Sequence, residues 1–105
     1  MSPDDFRNIA LSLPGASESA HMNHPDFRVG KKIFATLAYP DAGSGMVKLT
    51  PEQQREFVAA DPDSFVPASG AWGARGSTIV RLRSAKAILV NAAIEAAWRN
   101  VGPSV

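Results

Sequence analysis

The stretch KKIFATLAYPDAGSGMVKLT, residues 31–50, decides the fold. Ile33, Ala35 and Leu37 alternate with Lys32, Phe34 and Thr36, while Val47 and Leu49 alternate with Met46, Lys48 and Thr50. A period of two sends successive side chains to opposite faces, so both runs read as half-buried strands. Between them Pro40-Asp41-Ala42-Gly43-Ser44-Gly45 collects residues that suit turn geometry, which makes the pair an antiparallel hairpin with a longer loop. Upstream, Phe27 and Val29 flank Arg28, and Gly30-Lys31 reads as a tight turn into the next strand. The region from about Ala20 to Thr50 is therefore expected to hold three or four antiparallel strands.

Helical signals enclose this region. Ser2 is a good N-cap, Pro3 suits the first helical position, Asp4 and Asp5 complement the helix dipole, and Phe6, Ile9, Ala10 and Leu13 form one apolar stripe before Pro14-Gly15 stops the helix. Thr50-Pro51-Glu52-Gln53 repeats the logic with a capping box, opening a short helix to about Ala60, where Asp61-Pro62-Asp63 breaks it. Phe65 and Val66 are placed to pair or pack, and Pro67 to Gly76 reads as a Gly-rich connection carrying Trp72 and Arg75. Ser77 to Arg83 forms a strand with Thr78, Val80 and Leu82 on one face and Ile79, Arg81 and Arg83 on the other. Ser84 is read as the cap of a last helix with Val90, Ile94, Ala97, Trp98 and Val101 in its buried stripe, Asn91, Glu95 and Arg99 opposite, and Gly102-Pro103 as its end. The expected fold is α+β: one antiparallel sheet, N- and C-terminal helices packed on one face, and one short helix, with residues 1–105 as a single domain.

The chain has 105 residues, 45% of them hydrophobic, with 11 Lys+Arg, 10 Asp+Glu, two His and no Cys. Without cysteine there is no disulfide scaffold, thiolate nucleophile or Cys-based metal centre. No apolar run approaches membrane-spanning length and no leader-like segment opens the chain, so a soluble cytoplasmic protein with no membrane partner is expected, a monomer rather than an obligate oligomer. The net charge of +1 conceals a segregation. Over residues 20–50 and 66–83 the cations exceed Asp26 and Asp41 enough to give +5, and the rest of the chain carries −4. With Phe27, Val29, Val47, Leu49, Val80 and Leu82 toward the helices, alternation sends Arg28, Lys48, Arg81 and Arg83 to the opposite face. A basic sheet face opposite more acidic helices follows.

His21-Met22-Asn23-His24 has H-x-x-H spacing with Asp26 nearby. On a strand the two histidines point to opposite faces unless the chain turns between them, and neither Cys nor a second His pair completes a site, so no metal is expected. His24 reads instead as a satisfied polar residue at the turn fixed by Pro25. No G-x-S-x-G elbow or other positioned nucleophile or acid/base pair occurs, and Gly70-Ala71-Trp72-Gly73-Ala74-Arg75-Gly76 lacks the G-K-[ST] of a phosphate loop, so no catalytic residue and no cofactor is expected. One constellation stands out: Arg28, Lys48, Trp72, Arg75, Arg81 and Arg83, in which cations neutralise phosphates and an aromatic stacks on a base or ligand ring.

Ser12-Leu13-Pro14-Gly15, His24-Pro25-Asp26-Phe27-Arg28-Val29, Lys32-Ile33-Phe34-Ala35-Thr36-Leu37, Gly70-Ala71-Trp72-Gly73 and Ala97-Trp98-Arg99-Asn100 occur in this order over nearly the whole chain. Together they resemble the MmcQ/YjbR family of small bacterial proteins. The resemblance implies a CyaY-like, frataxin-like sandwich with two helices on one face of an antiparallel sheet. It also implies a DNA-binding role, which the family is commonly given through a proposed similarity to double-wing DNA-binding proteins, and no shared catalytic reaction. His24, Pro25, Phe27, Arg28, Val29 and Trp72 mark family identity rather than site roles. Iron does not follow from the fold, since frataxin-like iron surfaces depend on an acidic ridge and the first helix offers only Asp4 and Asp5. The function expected is a non-catalytic module binding DNA weakly and salt-dependently through its basic sheet face; the alternative is a domain that binds a small anionic ligand or an acidic protein.

Overall fold

Each apolar pattern becomes one element, and turn chemistry sets most of the boundaries. The computed structural model describes residues 1–101, so Gly102-Pro103, read above as the stop of the last helix, lies outside them. The elements run α1 (Pro3–Leu11), β1 (Ala16–His21), β2 (His24–Val29), β3 (Lys32–Leu37), β4 (Ser44–Lys48), α2 (Pro51–Ala60), β5 (Phe65–Pro67), α3 (Gly70–Ala74), β6 (Ser77–Arg81) and α4 (Ala87–Val101). The six strands form one antiparallel sheet in the order β1-β2-β3-β4-β6-β5. The α+β architecture expected from periodicity is present.

Both anticipated capping boxes form: Ser2 Oγ accepts from Asp5 N at 3.1 Å while Asp5 returns a bond to Ser2 N at 2.9 Å, and Thr50 with Gln53 repeats the pair at 3.1 and 2.9 Å. Each satisfies two amide donors that a helix start leaves orphaned. α1 and α4 pack against each other and against β3 and β4. Phe6, Ala10, Val90, Ala93, Ile94 and Ala97 from these helices meet Phe27, Val47, Phe65, Val80 and Leu82 from the sheet region in one core. α2 joins the same side, with the Phe57 and Phe65 ring centroids 5.3 Å apart.

Strict alternation fails at one place in the opening stretch. Phe27 pairs with Ala35 but Arg28 pairs with Ile33, so β3 contributes an extra residue, Phe34, to a β-bulge. A bulge places two residues opposite one and shifts the facing of what precedes it. Phe34 is thereby fully buried in the helix-side core beside Ala35, while Ile33, which uninterrupted alternation would put on one face with Ala35 and Leu37, turns to the open face. The bulge gives the core a phenylalanine and the opposite face an isoleucine.

Other expectations need correction. The sheet begins at Ala16, earlier than the Ala20 estimate, because the β1–β2 pairing extends to Ala16 opposite Val29. Within the supposed Gly-rich connection lies a helical turn, α3. Ser84 does not cap α4, which starts at Ala87; its Oγ instead donates to Asp63 O and accepts from Ser64 Oγ, both at 3.1 Å, tying the β6–α4 turn to the segment before β5. β6 ends at Arg81, although Leu82 stays buried as alternation requires. Trp98 packs against the core half-buried and donates Nε1–H to Pro14 O at 2.9 Å.

Candidate functional site

The sheet face away from the helices is not a uniform basic surface. Cross-strand partners share a face, so the pairings Thr36 with Met46 and Met46 with Ile79 put these three side chains on it together, joined by Ile33 through the bulge. The centre of the open face is therefore mostly apolar. At one end it sinks into a cleft of about 300 Å³, of the size that takes small ligands. Its floor includes Ile33, Thr36 and Met46, and its walls come from the β1–β2 turn, the segment after β3 and the α3 region.

Each wall is positioned by local chemistry. Met22 and Asn23 both have positive φ, 50° and 66°, and His21 pairs with His24, so the chain reverses in a two-residue turn of the primed kind that matches strand twist. This turn satisfies the condition under which H-x-x-H spacing puts both imidazoles on one face, and the rings lie 6.4 Å apart. Tyr39 follows β3 and meets His24 edge-on at 5.5 Å. His24 is not the satisfied residue expected: its Nδ1 is shielded from solvent without a hydrogen-bond partner among the described residues. On the opposite wall, buried Gln54 donates from Nε2 to Gly73 O and Ser77 O, both at 3.0 Å, which fixes α3 against the start of β6. Trp72 on α3 is thus held over the cleft with 59% of its surface exposed, and Lys48 Nζ sits 5.7 Å from its ring centroid, within cation–π range. Asn100 of α4 donates to Lys48 O at 3.1 Å and anchors that strand end from behind.

Beside the cleft lies a fully buried carboxylate. Asp26 Oδ1 accepts from Arg28 Nε at 2.6 Å, and its Oδ2 accepts from Arg28 Nη2 at 2.9 Å and lies 2.8 Å from His21 Nδ1. The Arg28 bonds hold the Asp26 carboxyl below its ordinary range and outweigh the opposing effect of burial, with the His21 bond adding to them. The same pairing raises Arg28. A depressed carboxyl stabilises the fold above its unfolded value of 3.8 and loses that contribution as pH falls through the lower folded value. Asp26→Asn is expected to cost about 2–4 kcal/mol at neutral pH, because it leaves the Arg28 charge without its partner. Urea unfolding of both proteins from neutral to strongly acidic pH should show this gap narrowing below the ordinary Asp range; a gap constant with pH would exclude the assignment.

Of the six residues singled out in the sequence, the cleft unites Lys48 and Trp72. Arg28 is on the same face but occupied by Asp26. Arg75 ends α3 exposed, Arg81 is exposed opposite Ser44, and Arg83 is exposed beyond β6; none of the three lines the cleft. Sequence reasoning missed His21, Met22, Tyr39 and Met46 as neighbours. The two-residue spacing between the histidines was the available signal, since that is the length of a tight hairpin loop.

Comparison with known proteins now has a geometry to refer to. Residues 11–100 match the YjbR family model. The chain is a member of the YjbR family. In fold, this YjbR protein is similar to the crystal structure of Deinococcus radiodurans protein DR2400, a DUF419 domain, with a TM-score of 0.79 and 21% identity over 95% of this chain and 78% of that one. No curated protein matches it. All the cleft-lining residues lie within the part of the YjbR chain that the family model spans.

Proposed function

We propose that this YjbR protein binds a small planar ligand carrying an anionic group, its ring stacked by Trp72 and Tyr39 over Met46 and Ile33 and its charge met by Lys48. The observation that supports this reading is convergence. Met22, Tyr39 and Trp72, exposed by 86%, 38% and 59%, all line one cleft, whereas Leu11 and Ile88 are the other large apolar side chains exposed among the described residues. Aromatic side chains left in water around a concave apolar floor are the usual form of a ligand site. Lys48 is the sole lysine or arginine lining it among the described residues, which suits one anionic group better than a phosphate backbone. The cleft is complete within one chain, in keeping with a monomer. No helix among the described residues is long and apolar enough to cross a membrane.

Anilinonaphthalene sulfonate, which carries a planar naphthalene ring and an anionic sulfonate, is a suitable probe. Its fluorescence should rise on mixing with the protein, and Trp72→Ala and Lys48→Gln should each weaken binding about tenfold, a loss of about 1.4 kcal/mol. Binding unaffected by both substitutions would sink the proposal. Titration of duplex and single-stranded DNA at several salt concentrations separates the nucleic-acid reading. Affinity falling steeply with salt, with amide shifts centred on Arg75, Arg81 and Arg83 rather than on the cleft, would replace the small-ligand reading by a DNA-binding one.

A further inference from the structure

Asp26 does more than pair with Arg28. An ionised carboxylate has no hydrogen to give, so the 2.8 Å contact requires neutral His21 to carry its hydrogen on Nδ1 and donate it to Asp26 Oδ2. The ring lone pair is thereby fixed on Nε2. Nε2 makes no hydrogen bond to any described residue, and the His21 side chain, 41% exposed, lines the cleft. A histidine that lines a ligand cleft, is oriented by a buried carboxylate and keeps Nε2 free of protein partners is the arrangement of a general base. The other charged or titratable groups around it are His24 across the hairpin, Tyr39, Arg28 on Asp26, and Lys48, which lines the same cleft.

We propose that His21 is a catalytic general base that abstracts a proton from a planar, weakly acidic substrate held in the cleft, with Asp26 as its positioning residue and Lys48 stabilising the negative charge the substrate acquires. The proposal rests on the reading of the cleft as a ligand site. In the step, the Nε2 lone pair takes the proton, and the electron pair of the broken C–H or O–H bond stays with the substrate and delocalises over it toward an electronegative acceptor. The imidazolium is stabilised by Asp26 and returns its proton to solvent or to another atom of the product. No oxidant or second reactant is needed.

Nitrobenzisoxazole is a probe for this step alone, being planar and needing only a base. Nε2 would take the proton from the ring C–H, that bond's electrons would become the third bond of a nitrile, the N–O bond would break, and a coloured cyano-nitrophenolate would leave. The rate per protein should exceed that of free imidazole at equal concentration and rise with pH to a plateau, since only an unprotonated Nε2 can take the proton. His21→Gln should lower it at least tenfold, and Arg83→Gln, at an exposed residue that does not line the cleft, should leave it unchanged. Asp26→Asn should lower the plateau and alter the pH profile; should that variant fail to fold, His21→Gln, at a partly exposed side chain, still decides. Anilinonaphthalene sulfonate binding distinguishes the two possible failures. A probe that does not displace the dye, that reacts no faster than with free imidazole, or that reacts equally fast with His21→Gln, overturns the base and leaves the cleft reading intact; dye binding unaffected by Trp72→Ala and Lys48→Gln overturns both.

Discussion

Phe34→Ala is expected to lower the unfolding free energy by about 3–5 kcal/mol, and Ile33→Ala by no more than about 1 kcal/mol. Uninterrupted alternation implies the reverse order, because it turns Ile33 inward with Ala35 and Leu37 and leaves Phe34 on the other face. The bulge between β2 and β3 reverses the assignment, and Phe34 is fully buried among the core residues. Removing its ring leaves a cavity that the surrounding helices and strands fill only in part, so the cost exceeds the transfer free energy of the lost atoms. Ile33 borders the open cleft, and its truncation exposes a wall that already meets solvent. For a domain of this size each kcal/mol moves the melting temperature by roughly 4–8 °C, so the Phe34 variant should melt about 12 °C or more below the parent. Urea unfolding with an unchanged m value is the measurement; equal losses for the two variants would mean that the bulge is misplaced.

Gly73→Ala is expected to cost at least about 3 kcal/mol and to weaken anilinonaphthalene sulfonate binding as well. A Cβ at Gly73 would run into the backbone carbonyl of Ala68, which cannot move aside as a flexible side chain can. The carbonyl of Gly73 also accepts the Gln54 bond that seats α3, so a shift there disturbs a buried polar contact and the aim of Trp72 together. Gly70→Ala is the internal comparison. Gly70 has open space around its Cα and a φ of +68°, so an alanine there meets backbone strain alone, about 1–2 kcal/mol, and should leave the probe's affinity intact. Thermal melts and probe titrations of the two variants, side by side, test whether α3 is held by steric fit at one glycine. Similar losses for both would mean that conformation, not the Ala68 contact, sets the cost.

Much of the fold was legible because its signals are local. Ser2 and Thr50 announce capping boxes through the residue three places on, and Gly30-Lys31 announces its turn. Thr78, Val80 and Leu82 show their buried face by period alone. The failures share a cause as well. Phe34 and Ile33 exchange faces because a bulge depends on how the neighbouring strand is paired, which no property of β3 declares. Ser84 resembles a cap, yet its hydroxyl is drawn to Asp63 and Ser64, remote in sequence. For the candidate site, Lys48 and Trp72 were visible as residue types able to bind an anion and a ring. Arg28 was visible as a cation but not as one already committed to Asp26 two residues away.

The amino-acid sequence by itself determined that this protein has helices at both ends around an antiparallel sheet, that thiol chemistry is closed to it, and that its family is YjbR. The helices, the sheet and the missing thiols follow from periodicity, caps, turn residues and composition, which act over a few neighbouring residues or over the whole count, whereas the family follows from the match of residues 11–100 to its model. The tertiary structure alone decided that the open face is apolar at its centre, that Met22, Tyr39 and Trp72 line one cleft, and that His21, bonded to Asp26, lines it too. Those arrangements come from strand pairing, a bulge and a hairpin reversal. Each brings together groups whose separation along the chain says nothing of their distance in space, and whose charge or exposure is settled only by the partner they meet.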